Sequence, residues 1–149
     1  MFKKVSSVLG FASLLIIGAP ATGYSDSLAA IAGHTWSLSD ASCIGTSWSN
    51  IKNNCSRSVK VLIPVQSRAT GTWYFYASKP NDAQNNNQTF CRVVITDQQN
   101  GSERQTERVL VSANNQAYLG SLPIYTNSVV HYDCDLNAQA ELSAITWAQ

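Results

Sequence analysis

The stretch VVHYDCDL, residues 129–136, alternates apolar and polar side chains at every second position. Successive side chains of a β-strand point to opposite faces, so this period of two predicts a strand. Its apolar face carries four side chains: Val130, Tyr132, Cys134 and Leu136. Its polar face carries three: His131, Asp133 and Asp135. The pattern therefore predicts that Cys134 faces the interior and that the two aspartates face away from it.

The run FCRVVIT, residues 90–96, has the same alternation, with Cys91 on its apolar side and Arg92 on its polar side. If Cys91 and Cys134 are paired, both face inward, and Arg92 projects outward like the aspartates. On neighbouring strands Arg92 would then meet Asp133 or Asp135 as a cross-strand ion pair, worth about 0.2–1 kcal/mol at an exposed position.

All four cysteines follow residue 42, and their even number in an exported chain indicates two disulfides. Four cysteines allow three pairings, and the sequence alone does not choose among them. We predict Cys43 with Cys55, which closes a short loop, and Cys91 with Cys134, which joins two strand-like runs. A zinc site is disfavoured because the CxxC-type spacing is absent.

Runs with a period of two recur along the chain, and no helical pattern of ordinary helix length is found after residue 23. In TWYFYA, residues 72–77, Trp73 and Phe75 share one face, which we expect in the core, while Tyr74 and Tyr76 share the other. Seven to nine short strands separated by Asn-, Gly- and Ser-rich turns predict an all-β fold, a single-domain antiparallel β-sandwich that is jelly-roll-like or Ig-like. RQTERVLV, residues 104–111, is predicted to be one of these strands.

Residues 1–23 have the pattern of a secretory signal peptide, with a charged start at Lys3 and Lys4, an apolar run and the small residues Ala19-Pro20-Ala21. Cleavage after Ala21 or after Gly23 fits this pattern, and we take residues 24–149 as the domain. The apolar run is short and interrupted, and no later segment approaches the roughly 20 apolar residues of a membrane span. The sequence predicts a secreted or periplasmic protein.

Loss of Lys3 and Lys4 with the signal peptide leaves 8 basic and 9 acidic residues, a formal net charge of −1. Nucleic-acid binding and polybasic membrane docking both need clustered Lys and Arg, so this charge balance disfavours both.

Two candidate binding sites follow from the strand pattern. Tyr74 and Tyr76 offer rings that can stack on sugars, beside neutral polar groups that can bind hydroxyls. Asp133 and Asp135, at positions i and i+2, could share a calcium ion with oxygens from the loop at residues 81–87 or from Asp97. The alternative for these aspartates is a polar strand face without a metal.

Catalytic motifs are absent. GxSxG does not occur, and two aspartates on one strand face lack the environmental asymmetry that a glycosidase needs. His131 alone could act as a base, and a buried, desolvated carboxylate beside it would favour an enzyme. We therefore expect a protein that is not an enzyme.

The last forty residues, with HYDCDL and a closing strand that ends near Trp147, resemble small secreted bacterial β-sandwich proteins of unassigned function. The resemblance implies export and a β-sandwich but no activity. We expect a binding module for carbohydrate or another cell-surface ligand. The alternative is a structural or interaction protein, such as an adhesin-like or inhibitor subunit, with a protein partner.

Overall fold

The computed structural model describes residues 25–29, 34–47, 50–65, 69–80, 87–113 and 115–149. The predicted signal peptide lies outside these residues. The strands in the described part are β1 (Ser25–Ala29), β2 (His34–Thr35), β3 (Ile44–Ser47), β4 (Asn50–Asn53), β5 (Val59–Val65), β6 (Gly71–Ser78), β7 (Thr89–Asp97), β8 (Glu103–Gln105), β9 (Val109–Val111), β10 (Ala117–Ile124), β11 (Ser128–Leu136), β12 (Glu141–Leu142) and β13 (Ala144–Ala148). A 3₁₀ helix, Leu38–Cys43, lies between β2 and β3. None of the described helical residues forms a segment long and apolar enough to cross a bilayer.

The strands form three sheets, and every strand pairing within them is antiparallel. The first sheet has the order β1-β13-β6-β10, and the second has the order β2-β5-β11-β7-β8, with β9 also paired to β7. The third, small sheet has the order β12-β4-β3. Inward side chains of the first two sheets share one apolar core, so the prediction of an antiparallel β-sandwich is confirmed.

The two large sheets meet at Tyr132, which is fully buried on β11. Its ring packs edge-on against Phe75 of β6, with ring centroids 5.9 Å apart. Its hydroxyl donates a hydrogen bond of 2.8 Å to the carbonyl oxygen of Thr146 on β13. Burial raises the pKa of Tyr132 above its ordinary range, because the phenolate would lose its hydration. This side chain therefore links the sheets by packing and by a hydrogen bond.

Both predicted disulfides are confirmed. Cys43 pairs with Cys55 beside the third sheet, and Cys91 pairs with Cys134 between β7 and β11. Cys91 and Cys134 stand directly opposite each other in the register, and both are fully buried. The strand pattern thus assigned their inward orientation correctly.

Residues 104–111 do not form the single strand that their alternation predicts. They contribute to β8 and β9, which are separated by Thr106–Arg108 and both pair with β7. At the break, the hydroxyl oxygen of Thr106 accepts a 3.0 Å hydrogen bond from the amide of Val93. A side chain thus replaces a backbone partner of the ladder, which local alternation does not reveal.

The third sheet is attached to the sandwich by Asn53, a fully buried polar residue at the end of β4. Its side-chain amide lies 2.9 and 3.0 Å from the carbonyl oxygens of Leu136 and Asn137, and 2.6 Å from that of Arg57. Its side-chain oxygen accepts a hydrogen bond from the amide of Cys55. The polar atoms of Asn53 are therefore satisfied by backbone at the end of β11 and in the disulfide-bonded turn.

Candidate functional site

Two surfaces on opposite sides of the sandwich carry the residues singled out by the sequence. On the first sheet, β6 alternates as predicted, with Trp73 and Phe75 buried in the core. Tyr74 is 44% exposed and Tyr76 is partly exposed on the outer face. The structure therefore presents both predicted tyrosines on one side of one strand.

A third tyrosine, Tyr118 of β10, joins them. It stands opposite Tyr76 in the register, is 49% exposed, and its ring centroid lies 5.4 Å from that of Tyr76. We call Tyr74, Tyr76 and Tyr118 the tyrosine face. Sequence reasoning missed Tyr118, because nothing in AYLGSLPIY indicates that β10 lies beside β6.

A bulge determines which way the residues of β10 point. The register with β6 shifts between Tyr118 and Gly120. Ile124 and Leu119 are both buried, although they are five residues apart and would face opposite sides of an uninterrupted strand. Gly120 has φ of 125°, a conformation that a side chain rarely adopts. A Cβ at this position would lie 2.9 Å from Cγ2 of Thr106. Glycine therefore makes room for the bulge that turns Tyr118 outward.

Polar groups border the tyrosine rings. Ser121 stands opposite Tyr74 on β10, and Thr146 stands opposite Tyr76 on β13. The hydroxyl of Thr146 accepts a hydrogen bond from the side-chain amide of Gln116. Flat rings next to hydroxyl and amide groups form a surface that can stack on an apolar ring face and bind hydroxyl groups at its border.

The second surface is the outer face of the second sheet and is centred on Asp133. Arg92, directly opposite on β7, places Nε and Nη2 each 2.8 Å from Asp133 Oδ2. The predicted meeting of Arg92 with an aspartate is present, but its setting differs from the expected solvated strand face. Asp133 is only 3% exposed.

Two further cations cover Asp133. Arg108 Nη2 lies 3.2 Å from Oδ2, and Lys60 Nζ, from β5, lies 3.6 Å from Oδ1. Arg108 also forms an ion pair with Asp135. The sequence does not reveal Lys60 and Arg108 as partners, since their approach depends on which strands flank β11 and on the break between β8 and β9.

A pocket of about 300 Å³ opens beside these residues. Its lining includes Trp36, Lys60, Leu62, Arg92, Glu103 and Asp133. We call it the charged pocket. Trp36 is 69% exposed at its edge, and Lys60 Nζ lies 5.7 Å from the centroid of the Trp36 ring. His131 also lines this pocket, on the same face of β11 as Asp133.

The calcium hypothesis for Asp133 and Asp135 stays a prediction. Both carboxylates contact arginine side chains, with which a divalent ion would have to compete. Asp97, one proposed source of further oxygens, pairs with Ser128, five register positions from Asp133 and so roughly 17 Å along the strand. Residues 81–86 of the other proposed source lie outside the described residues. Within the described ranges no three His, Cys, Asp or Glu residues form a group that could hold a metal.

Comparison with known proteins gives distant structural similarity alone. No protein-family model and no curated protein sequence matches the chain. A family 61 carbohydrate-binding module in complex with β-1,4-galactotriose has a TM-score of 0.41 and 9% identity, over 87% of this chain and 88% of that one. A family 29 carbohydrate-binding module has a TM-score of 0.37 and 8% identity, over 85% and 86% of the two chains. A mutant family 29 module complexed with mannohexaose has a TM-score of 0.37 and 9% identity, over 85% and 88%.

Proposed function

We propose that this chain is an exported, non-catalytic module that binds carbohydrate through the tyrosine face. The observation that carries the proposal is the presence of three tyrosines on one outer sheet surface, with Tyr74 and Tyr118 nearly half exposed. Exposed tyrosine offers an apolar ring face at low cost in side-chain entropy, and its hydroxyl can still bind water or ligand.

The chemistry of the border supports a ligand rich in hydroxyl groups. Ser121, Thr146 and Gln116 supply donors and acceptors without a net charge, and they lie on the strands that flank β6 or next to them. Export is supported by the two disulfides, since such bonds persist in oxidising compartments. Asp133 is a buried carboxylate on the same strand face as His131, but it is ion-paired with Lys60, Arg92 and Arg108. Asp135 also contacts Arg108, so we do not assign a catalytic residue.

A glycan array with the exported protein, run with calcium and with a chelator, tests the proposal. β-Linked galacto-, manno- and gluco-oligosaccharides are suitable first probes, since they contain the neutral pyranose rings that tyrosine can stack on. We expect specific retention in which Tyr74→Ala and Tyr76→Ala each weaken binding about tenfold or more. Tyr125→Ala is the matched control, because Tyr125 is also exposed, at 56%, but lies at the turn after β10.

The other outcomes distinguish the remaining hypotheses. Loss of retention with the chelator would make Asp133 and Asp135 candidate calcium ligands. Retention that survives both tyrosine substitutions would place the sugar site elsewhere. No retention on any glycan would contradict the proposal and favour the alternative of a structural or interaction protein.

A further inference from the structure

The charged pocket contains a buried acceptor that lacks a donor. Asp133 Oδ2 accepts hydrogen bonds from Arg92 and Arg108, but no hydrogen-bond donor among the described residues reaches Oδ1. Lys60 Nζ, at 3.6 Å, is close enough for ion pairing and too far for a hydrogen bond. Oδ1 is itself enclosed, but the Lys60 side chain beside it is partly exposed. A shift of Lys60 would admit a donor from the pocket, and Oδ1 would gain a hydrogen bond that it lacks.

We propose that the charged pocket is a second binding site, which takes one neutral, hydroxyl-bearing ring such as a terminal sugar residue. Oδ1 of Asp133 can accept a hydrogen bond, and the adjacent Lys60 ammonium group can donate one. A ligand hydroxyl group can donate to Oδ1 and accept from Lys60, so a single hydroxyl matches this pair of atoms. The proposal goes beyond the function assigned to the tyrosine face, which lies on the other sheet and shares no residue with this pocket.

The charges of the pocket favour a neutral ligand. Lys60 and Arg92 are balanced by Glu103 and Asp133, so the lining has no formal net charge when His131 is neutral. An ion therefore gains no net attraction from the lining to offset the loss of its own hydration, whereas a neutral ligand has less hydration to lose.

The remaining walls suit a ring. Trp36, more than two-thirds exposed, supplies a large aromatic surface, and Leu62 and Val94 add apolar surface to the lining. A sugar ring can stack its C–H face on an aromatic ring while its hydroxyls reach polar groups. The volume of about 300 Å³ is at the lower end for ligand pockets, which fits one ring better than several.

Tryptophan fluorescence provides the test. Among the tryptophans that the structure describes, Trp36 is exposed whereas Trp73 and Trp147 are buried, so a ligand on Trp36 changes the emission of an exposed residue. The exported protein is titrated with galactose, mannose and glucose, and separately with glucuronic acid and glucosamine as charged counterparts. We expect a saturable blue shift with at least one neutral sugar and at least tenfold weaker binding of the charged analogues. Isothermal titration calorimetry measures the same affinities without depending on Trp36.

Three variants examine the residues. Trp36→Ala should abolish the blue shift, and both Trp36→Ala and Lys60→Met should weaken calorimetric binding about tenfold. The Tyr74→Ala/Tyr76→Ala double variant is the control and should keep the Trp36 signal, which separates this site from the tyrosine face. Neither Trp36 nor Lys60 is buried, so both variants are expected to fold.

The proposal is overturned if no sugar gives saturable binding up to about 10 mM, a range that includes weak millimolar complexes. It is also overturned if a charged analogue binds better than the neutral sugars, or if calorimetric binding in the Tyr74→Ala/Tyr76→Ala background survives both Trp36→Ala and Lys60→Met. None of these outcomes affects the tyrosine face, whose failure is detected by the array with the tyrosine variants.

Discussion

Cys91 and Cys134 face each other across β7 and β11 with their Cα atoms 4.1 Å apart, and the next register pair, Arg92 and Asp133, points to the opposite side of the same sheet. The covalent pair in the core is thus adjacent to the ion pair under the charged pocket. A slip of one residue would exchange the two faces and bring Asp133 into the core. The disulfide therefore excludes the register that would destroy the pocket.

Removal of this disulfide in the Cys91→Ala/Cys134→Ala double variant should lower the free energy of unfolding by about 4 kcal/mol. Its cross-link spans 43 residues of sequence, whereas that of Cys43 and Cys55 spans 12. Cys43→Ala/Cys55→Ala is the matched control and should cost about 3 kcal/mol, since closing a shorter loop removes less chain entropy. Urea unfolding without reductant measures both, and a larger loss for the shorter loop would contradict this account.

Asp133→Asn should destabilise the fold by about 2–3 kcal/mol, because it leaves Lys60, Arg92 and Arg108 around a neutral side chain. The loss falls below that of a fully buried pair, since the three cations remain partly exposed and water screens them. Asp135→Asn, with a more exposed carboxylate, should cost less than about 1 kcal/mol. Equal losses in the two variants, measured by urea unfolding, would show that burial of Asp133 has no special cost.

The strands, the inward cysteines and the outward tyrosines could be predicted because each depends on a local period of two. Tyr74 and Asp133 point outward for the same reason that Phe75 and Cys134 point inward. Such a pattern fixes the face of a side chain within its own strand. It says nothing about which strands become neighbours.

The parts of the candidate sites that were missed all depend on neighbours. Lys60 meets Asp133 because β5 pairs with β11 across about 70 residues of sequence, and Tyr118 meets Tyr76 because β10 pairs with β6. The burial of Asp133 follows from three cations that arrive from three different segments. The alternation of β11 predicted an exposed carboxylate at Asp133, because a pattern within one strand contains no information about side chains that other segments place over it.

Asn53→Ala should lower the free energy of unfolding by about 2–4 kcal/mol. The substitution leaves the carbonyl oxygens of Leu136 and Asn137 and the amide of Cys55 without this partner in a buried setting. Asn54→Ala is the control, because the side chain of Asn54 is exposed. Thermal unfolding of both variants measures the difference, and a near-neutral Asn53→Ala would mean that water satisfies these groups.

Gly120→Ala should destabilise the protein by about 1–3 kcal/mol and disturb the tyrosine face. Its backbone has φ of 125°, and the added Cβ would lie 2.9 Å from Thr106 Cγ2. Gly101→Ala is the control, since Gly101 also has positive φ but nothing within 4 Å of an added Cβ, and should cost about 1 kcal/mol. Urea unfolding and sugar retention are measured together. If Gly120→Ala lowers stability but leaves sugar retention unchanged, the bulge at Gly120 does not determine the orientation of Tyr118.

Tyr132→Phe should reduce the loss of stability at alkaline pH. Burial raises the pKa of Tyr132 in the folded protein above its ordinary value of 10.0, so above about pH 10 the unfolded chain releases a proton that the folded chain keeps. The stabilisation is therefore complete below pH 10 and declines above it, by up to about 1.4 kcal/mol per pH unit.

The comparison of wild type with Tyr132→Phe isolates this effect, because the other tyrosines are present in both proteins. At pH 7 the variant should be about 1 kcal/mol less stable, since it lacks the hydrogen bond to the carbonyl oxygen of Thr146. Between pH 10 and 11 the difference should shrink or reverse in urea unfolding, because phenylalanine has no proton to lose. Tyr125→Phe, at an exposed position, should keep the wild-type slope. Parallel pH profiles of Tyr132→Phe and wild type would contradict the assignment of this alkaline loss to Tyr132.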